Sequence, residues 1–136
     1  MGRLITLGIT SLDGYVADAE GSFAWAEPDE ELHRYCNALE GAIGINIYGR
    51  LTYELMTYWA DPPADAGEVE LGYAAAWQDS DKVVVSATLE AVTTPRTTLW
   101  RSFDADAVAA LKATTDQDIS ISGPTLAAAA FEAGLV

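Results

Sequence analysis

Ala42 to Leu55 reads AIGINIYGRLTYEL. From Ile43 to Tyr48 the residues are apolar apart from Gly44 and Asn46. The run is too short for a helix and rich in β-branched side chains, so it predicts a buried strand. Gly49 ends it, Arg50 stands at the turn, and Thr52-Tyr53-Glu54 opens a helix. A strand that stops at Gly and passes into a helix leaves backbone N–H groups free at its carboxyl end. Such a place suits an anion, and Arg50 adds a positive charge to it. Ligands of open α/β sheets bind along that edge. Gly49–Thr52 is therefore a candidate phosphate grip for a nucleotide. The alternative is an ordinary βα turn that carries a surface Arg.

The chain has 136 residues. That length fits one domain, residues 1–136, with a core of its own. Half of the residues are apolar, which points to a globular chain and not a disordered one. No apolar run reaches membrane-spanning length, and the opening MGRLITLGIT lacks the pattern of a signal peptide. Cys36 is the single cysteine, so neither a disulfide framework nor a cysteine-based zinc site is expected, and no metal site is predicted. Together these features predict a cytoplasmic protein. The formal charge is −14, from 21 acidic and 7 basic residues. That balance speaks against nucleic acid and anionic membrane as partners, because both call for a basic face. It also makes each arginine informative.

Around the central stretch the chain alternates between strand and helix patterns. Arg3–Thr10 predicts a first strand, followed by a turn at Ser11-Leu12-Asp13-Gly14. Tyr15 to Trp25 reads as a loop. Pro28-Asp29-Glu30-Glu31 predicts a helix start, with Pro in the first turn and acids at the positive end. Leu32, Tyr35, Cys36 and Leu39 then fall at helical spacing and predict a buried stripe. A short helix is expected from Thr52 to about Trp59, ended by Asp61-Pro62-Pro63, and another over Gly67–Asp79. Lys82–Ser86 predicts a third strand and Thr97–Trp100 a looser one. Asp104–Ala113 reads as a helix with Asp104 as its N-cap. Asp118–Ser122 is a last strand, and Gly123-Pro124-Thr125 turns into a helix over Leu126–Ala133. Helices between parallel-type strands predict an α/β sheet covered on both faces.

Three strand ends share one character. Tyr48-Gly49-Arg50, Val85-Ser86-Ala87-Thr88 and Ile121-Ser122-Gly123-Pro124 each finish in small or polar residues. Hydroxyls and bare N–H groups suit phosphates, and a missing Cβ lets a ligand approach the backbone. Ser86 and Thr88 could donate to a phosphate, and Gly123 could let a pyrophosphate lie over the helix that Pro124 begins. Neither G-x-G-x-x-G nor G-x-x-x-x-G-K-[ST] is present, so neither a Rossmann site nor a P-loop is supported.

The set Ser11-Leu12-Asp13-Gly14-Tyr15-Val16-Ala17, Gly49-Arg50-Leu51-Thr52-Tyr53-Glu54, Val84-Val85-Ser86-Ala87-Thr88-Leu89 and Ser122-Gly123-Pro124-Thr125-Leu126 resembles the dihydrofolate reductase superfamily. The nearer branch contains the reductase domain of the bacterial riboflavin-biosynthesis deaminase-reductase. The resemblance covers nearly the whole chain, and its most specific piece is G-R-x-T-[YW]-E. It implies a dihydrofolate reductase-like three-layer fold with a mostly parallel central sheet. It also implies NADPH as cofactor, with NADH as the alternative, and hydride transfer to a pyrimidine- or pterin-like substrate. Arg50 and Thr52 match the cofactor-phosphate turn and Ser86 the adenosine-side phosphate contact, with Gly49 and Thr88 beside them as further cofactor-binding candidates. Gly123 matches the pyrophosphate turn, where Pro124 and Thr125 of the same turn are further cofactor-binding candidates, Val16 and Ala17 match the loop beside the nicotinamide, and Asp13 the substrate side.

The sequence departs from that pattern in three places. Ala87 stands where relatives often carry Arg, which leaves the choice between NADPH and NADH open. Ser122 replaces a Gly common in the glycine turn. Relatives also continue past Gly134-Leu135-Val136 with further strands, so the resemblance implies a domain short of its C-terminal strands. The first strand would then be an uncovered apolar edge, which predicts a homodimer. On the substrate side, Glu30 is the carboxylate that best matches a proton donor of the first helix, against the alternative of helix-dipole compensation. Trp25 is the aromatic expected to touch a flat substrate, while His33 is expected to be solvated. Two function classes follow: a reductase, or a non-catalytic dinucleotide-binding or scaffold protein that kept the cofactor grip.

Overall fold

A computed structural model describes residues 1–136. Five strands form one sheet: β1 (Leu4–Ile5), β2 (Ile43–Gly49), β3 (Asp81–Val85), β4 (Thr97–Trp100) and β5 (Asp118–Ser122). Their spatial order is β1-β5-β2-β3-β4, and every neighbouring pair is parallel. The helices are α1 (Glu30–Glu40), α2 (Arg50–Met56), α3 (Glu68–Asp79), α4 (Ala105–Thr114) and α5 (Pro124–Glu132). The central stretch thus becomes the middle strand and the helix that follows it, as its sequence predicts.

Side chains alternate across a strand, and the two faces of the sheet hold separate cores. On one face Ile47, Val83, Ile119 and Ile121 pack with Val108 of α4 and Ala130 of α5. On the other Tyr48 and Val84 pack with Tyr53 of α2 and Trp77 of α3. The result is three layers, with the sheet in the middle. Asp29 caps α1 by accepting from the Leu32 N–H at 2.8 Å. Asp104 caps α4 by accepting from the Asp106 and Ala107 N–H groups at 3.0 and 3.1 Å. No helix is long and apolar enough to cross a membrane.

Three expectations need correction. The first strand is not Arg3–Thr10. Only Leu4 and Ile5 pair, opposite Ile119 and Ser120 of β5. Beyond Ile5 the chain leaves β5, and Thr6 to Ile9 form the wall of a cleft. The α1 stripe is also rotated. Leu32 and Tyr35 are exposed, at 38% and 60%. The inward face keeps Cys36 and Leu39, which line an inner cavity, and adds polar groups, because α1 packs on α3 through Asn37, whose Nδ2 donates to the Val69 carbonyl at 2.8 Å, and through Glu40. His33 belongs to that inward side and packs against the rings of Trp59 and Tyr73, each 5.9 Å between centroids. Finally, the helix expected from Thr52 begins at Arg50 with Gly49 as its N-cap, and a 3-10 turn over Thr57–Ala60 completes it.

Candidate active site

The carboxyl ends of β5, β2 and β3 lie side by side, with Tyr48 opposite Ser122 and Gly49 opposite Val85. Over the β5 end opens a cleft of about 870 Å³. Val16, Ala17, Thr52, Gly123 and Pro124 all line it, and Leu51, Leu55 and Phe23 give it apolar walls. Gly123 has φ +104, a conformation that side-chain-bearing residues rarely adopt. It caps α5, and Pro124 stands in that helix's first turn. The first intrahelical bond runs from the Ala127 N–H to the Gly123 carbonyl. The N–H groups of Thr125 and Leu126 therefore open the helix without intrahelical partners.

The remaining candidates are distributed differently. Arg50 and Thr88 line a separate groove on the other side of the first turn of α2. There Arg50 Nη1 lies 3.2 Å from Glu54 Oε1, an ion pair one helical turn apart. Ser86 is buried, and its hydroxyl accepts from the N–H groups of Thr88 and Leu89 at 3.2 and 3.0 Å. That bond fixes the loop after β3 and turns the hydroxyl inward. Asp13 accepts from the Ser11 hydroxyl at 2.6 Å within its own turn, outside the cleft lining. Trp25 is 47% exposed in the 3-10 turn Ala24–Ala26, whose Ala24 and Ala26 line the cleft while Trp25 does not. Glu30 lies on the outer surface in an ion pair with Arg34 at 2.6 Å and does not line the cleft.

Behind the cleft is a smaller cavity of about 230 Å³. The two share Leu7, Gly8, Ile9 and Thr52. The inner wall of the smaller cavity carries Glu40, Asn46, Tyr73 and Ser120. Asn46 Nδ2 donates to Glu40 Oε1 at 2.8 Å and to Ser80 Oγ at 3.0 Å, and the Tyr73 hydroxyl donates to Glu40 Oε2 at 3.3 Å. The Ser120 hydroxyl donates to Asn46 Oδ1, which fixes the amide the other way round. Burial pushes the Glu40 carboxyl above its ordinary value, opposed by the bonds from Asn46 and Tyr73 and by the charge of Lys82. Sequence reasoning passed over Glu40. The available signal was its position four residues after Cys36, on the same helical face, together with the polar Asn46 inside an apolar strand.

A raised carboxyl carries a stability signature. Above the ordinary glutamate value the folded chain holds the Glu40 proton longer than the unfolded chain does, so stability from this group falls as pH rises through that window. Glu40→Gln keeps an acceptor for Asn46 and removes the buried charge. Its urea midpoint should exceed that of the wild type at pH 7, and the difference should disappear near pH 4. A lower midpoint at pH 7 would show that the ionised carboxylate is net stabilising.

No described sequence family and no curated protein matches the chain. In three dimensions it is similar to a protein of Shewanella sp. PV-4 provisionally named a riboflavin biosynthesis protein. That match has a TM-score of 0.66 and 20% identity, and covers 100% of this chain and 72% of the other. It is also similar to a diaminohydroxyphosphoribosylaminopyrimidine deaminase/5-amino-6-(5-phosphoribosylamino)uracil reductase of Thermotoga maritima. Here the TM-score is 0.54 and the identity 13%, over 96% of this chain and 42% of the other. The chain thus spans less than half the length of the second structure. At these identities the likeness speaks for the fold. The chain shares the parallel α/β fold of these two proteins.

Proposed function

We propose that this chain is a reductase that takes a reduced nicotinamide dinucleotide, NADPH or NADH, and delivers hydride to a small heteroaromatic ring of the pyrimidine or pterin kind. The observation that carries this reading is the meeting of Val16, Ala17, Thr52, Gly123 and Pro124, from three separate stretches of sequence, around one cleft. Ligands of parallel sheets bind at the carboxyl ends of the strands. The apolar walls of Leu51, Leu55 and Phe23 suit a flat ring, and the opening of α5 beside Gly123 suits a pyrophosphate. One structural neighbour is named for a reductase of a phosphoribosylaminouracil, which is the substrate class proposed.

When bound, a reduced nicotinamide supplies the hydride. The chain's own residues bind and orient the two rings and keep water from them. Glu40, beside the smaller cavity, is better suited than Glu30 to hold a proton near a substrate, because burial favours its protonated form. Calorimetric titration with NADH and NADPH tests the cofactor site. Loss of the reduced nicotinamide signal across dihydropteridines, ribosylaminopyrimidines and simple quinones tests the reaction. Binding with turnover on a ring of the first two kinds is the expected result. Tight binding with no turnover on any of them would favour a non-catalytic dinucleotide-binding protein, and no binding of either dinucleotide would overturn the reading.

A further inference from the structure

We infer that the groove beside Arg50 selects a dinucleotide whose adenosine ribose carries a free 2′-hydroxyl, NADH over NADPH, and that Glu54 and Glu90 impose the choice. This rests on the reading of the cleft as a nicotinamide dinucleotide site. The groove is reached from the cleft across the ends of β5 and β2. Gly123 and Gly49 lie on that path, and a Cβ at Gly49 would meet nothing within 4 Å. Leu51, Thr52 and Leu55 face the cleft, while Arg50 and Glu54 of the same helix face the groove. An extended ligand with its flat ring in the cleft therefore sends its other end toward Arg50, Thr88 and Glu90.

The charge at that end is the wrong sign for a phosphate. The groove holds one guanidinium, Arg50, and two carboxylates, Glu54 and Glu90. The guanidinium is partly neutralised, its Nη1 lying 3.2 and 3.4 Å from the two oxygens of Glu54. Arg101, the other arginine near the loop, holds the loop's backbone and does not line the groove. Its guanidinium donates to the carbonyl oxygens of Leu89 at 2.5 Å and of Ser86 and Glu90 at 3.4 Å. Position 87, at the loop's start, is an alanine. A 2′-phosphate, with close to two negative charges, would have to share Arg50 with the Glu54 carboxylate and sit beside Glu90. The chain's net charge of −14 adds a long-range penalty. A ribose hydroxyl can instead donate to a carboxylate, which is how acidic residues read the 2′-position. The proposal departs from the NADPH that the sequence resemblance implies.

Calorimetric titration of the full chain with NADH, NADPH, AMP and 2′-phospho-AMP at low salt tests this. NADH should bind at least tenfold more tightly than NADPH, and AMP more tightly than its 2′-phosphorylated form. The gap should narrow as salt rises. Glu54→Gln and Glu90→Gln should each raise NADPH affinity several-fold without raising NADH affinity. Both residues are exposed, so the variants are expected to fold, and circular dichroism checks that they do. NADPH binding as tightly as NADH would overturn the inference and leave the dinucleotide reading intact. Failure of both dinucleotides to bind would overturn that reading and the inference with it.

Discussion

Trp77→Ala should bring the fold close to global unfolding. Trp77 is 1% exposed at the centre of the core between the sheet and α3. Truncating a buried Trp to Ala costs about 3–5 kcal/mol, against a total stability of roughly 5–15 kcal/mol for a domain. Two further losses come with it. The indole Nε1 donates to the Tyr48 hydroxyl at 3.1 Å, and that hydroxyl would lose its donor. The Lys82 ammonium sits 4.1 Å from the indole centroid and donates to the Ser80 carbonyl at 2.8 Å. The ring face is thus a direct favourable partner for a buried cation. The urea midpoint should fall by half or more with little change in slope. Trp77→Phe, which keeps a ring over the ammonium, should lose much less.

Lys82 gives the same variant a second readout. Burial and the neighbouring Arg96 lower the ammonium from 10.5 to about 8. Between those values the unfolded chain carries more protons than the folded one, so wild-type stability gains from this group as pH rises from 8 toward 10.5. A cavity in place of the indole admits water to the ammonium and moves its titration back toward the ordinary value. The pH dependence of Trp77→Ala should therefore be flatter across that window. An unchanged slope would mean that the Ser80 carbonyl and the surrounding backbone, not the ring, set the Lys82 environment.

Much of the architecture was legible because local signals and tertiary demands agreed. The run Ile43–Tyr48 is buried on both faces of a parallel sheet, and such strands read as continuous apolar runs. Asp29 and Asp104 cap the helices their positions suggest. Thr97–Trp100 and Asp118–Ser122 form strands over the predicted residues. The failures lie where a neighbour decides. The pattern of Arg3–Thr10 is strand-like, yet pairing ends at Ile5 because the chain leaves its one neighbouring strand to wall the cleft. The face of α1 was misread because its partner α3 offers a carbonyl at Val69 and a hydroxyl at Tyr73, so Asn37 and Glu40 turn inward in place of Leu32 and Tyr35. At the site, turn chemistry pointed to Thr52, Gly123 and Pro124 and the family resemblance to Val16 and Ala17, whereas the apolar walls Leu51, Leu55 and Phe23 carried no such signal. The partners of Arg50 and Ser86 were not found, since an ion pair to Glu54 and an inward-turned hydroxyl depend on rotamers that spacing does not specify.

Gly123→Ala should weaken dinucleotide binding at least tenfold while leaving most of the fold in place. The nearest atom to an added Cβ is Thr52 Oγ1 at 3.4 Å, an ordinary contact, so the methyl itself has room. The backbone is the obstacle. At φ +104 any residue with a Cβ is strained, at about 1–3 kcal/mol. The chain can bear that strain and keep the turn, or relieve it by swinging the peptide toward negative φ. Relief is available because the residue sits at the exposed start of α5 and not within a ladder of the sheet. A swung peptide re-aims the first turn of α5, where the Thr125 and Leu126 N–H groups would meet a pyrophosphate. Either way the cleft changes more than the core, because Ile121 and Ala130, the buried residues that flank the turn, keep their partners. Thermal unfolding should fall by a few degrees, and calorimetry should register the loss for NADH and NADPH alike. Glu132→Ala, at the far end of α5 and outside the cleft lining, is the control and should bind nearly as well as the wild type. If Gly123→Ala lowers the melting temperature and leaves both affinities untouched, the pyrophosphate does not lie at this turn. The ligand would then have to cross the sheet edge at Gly49.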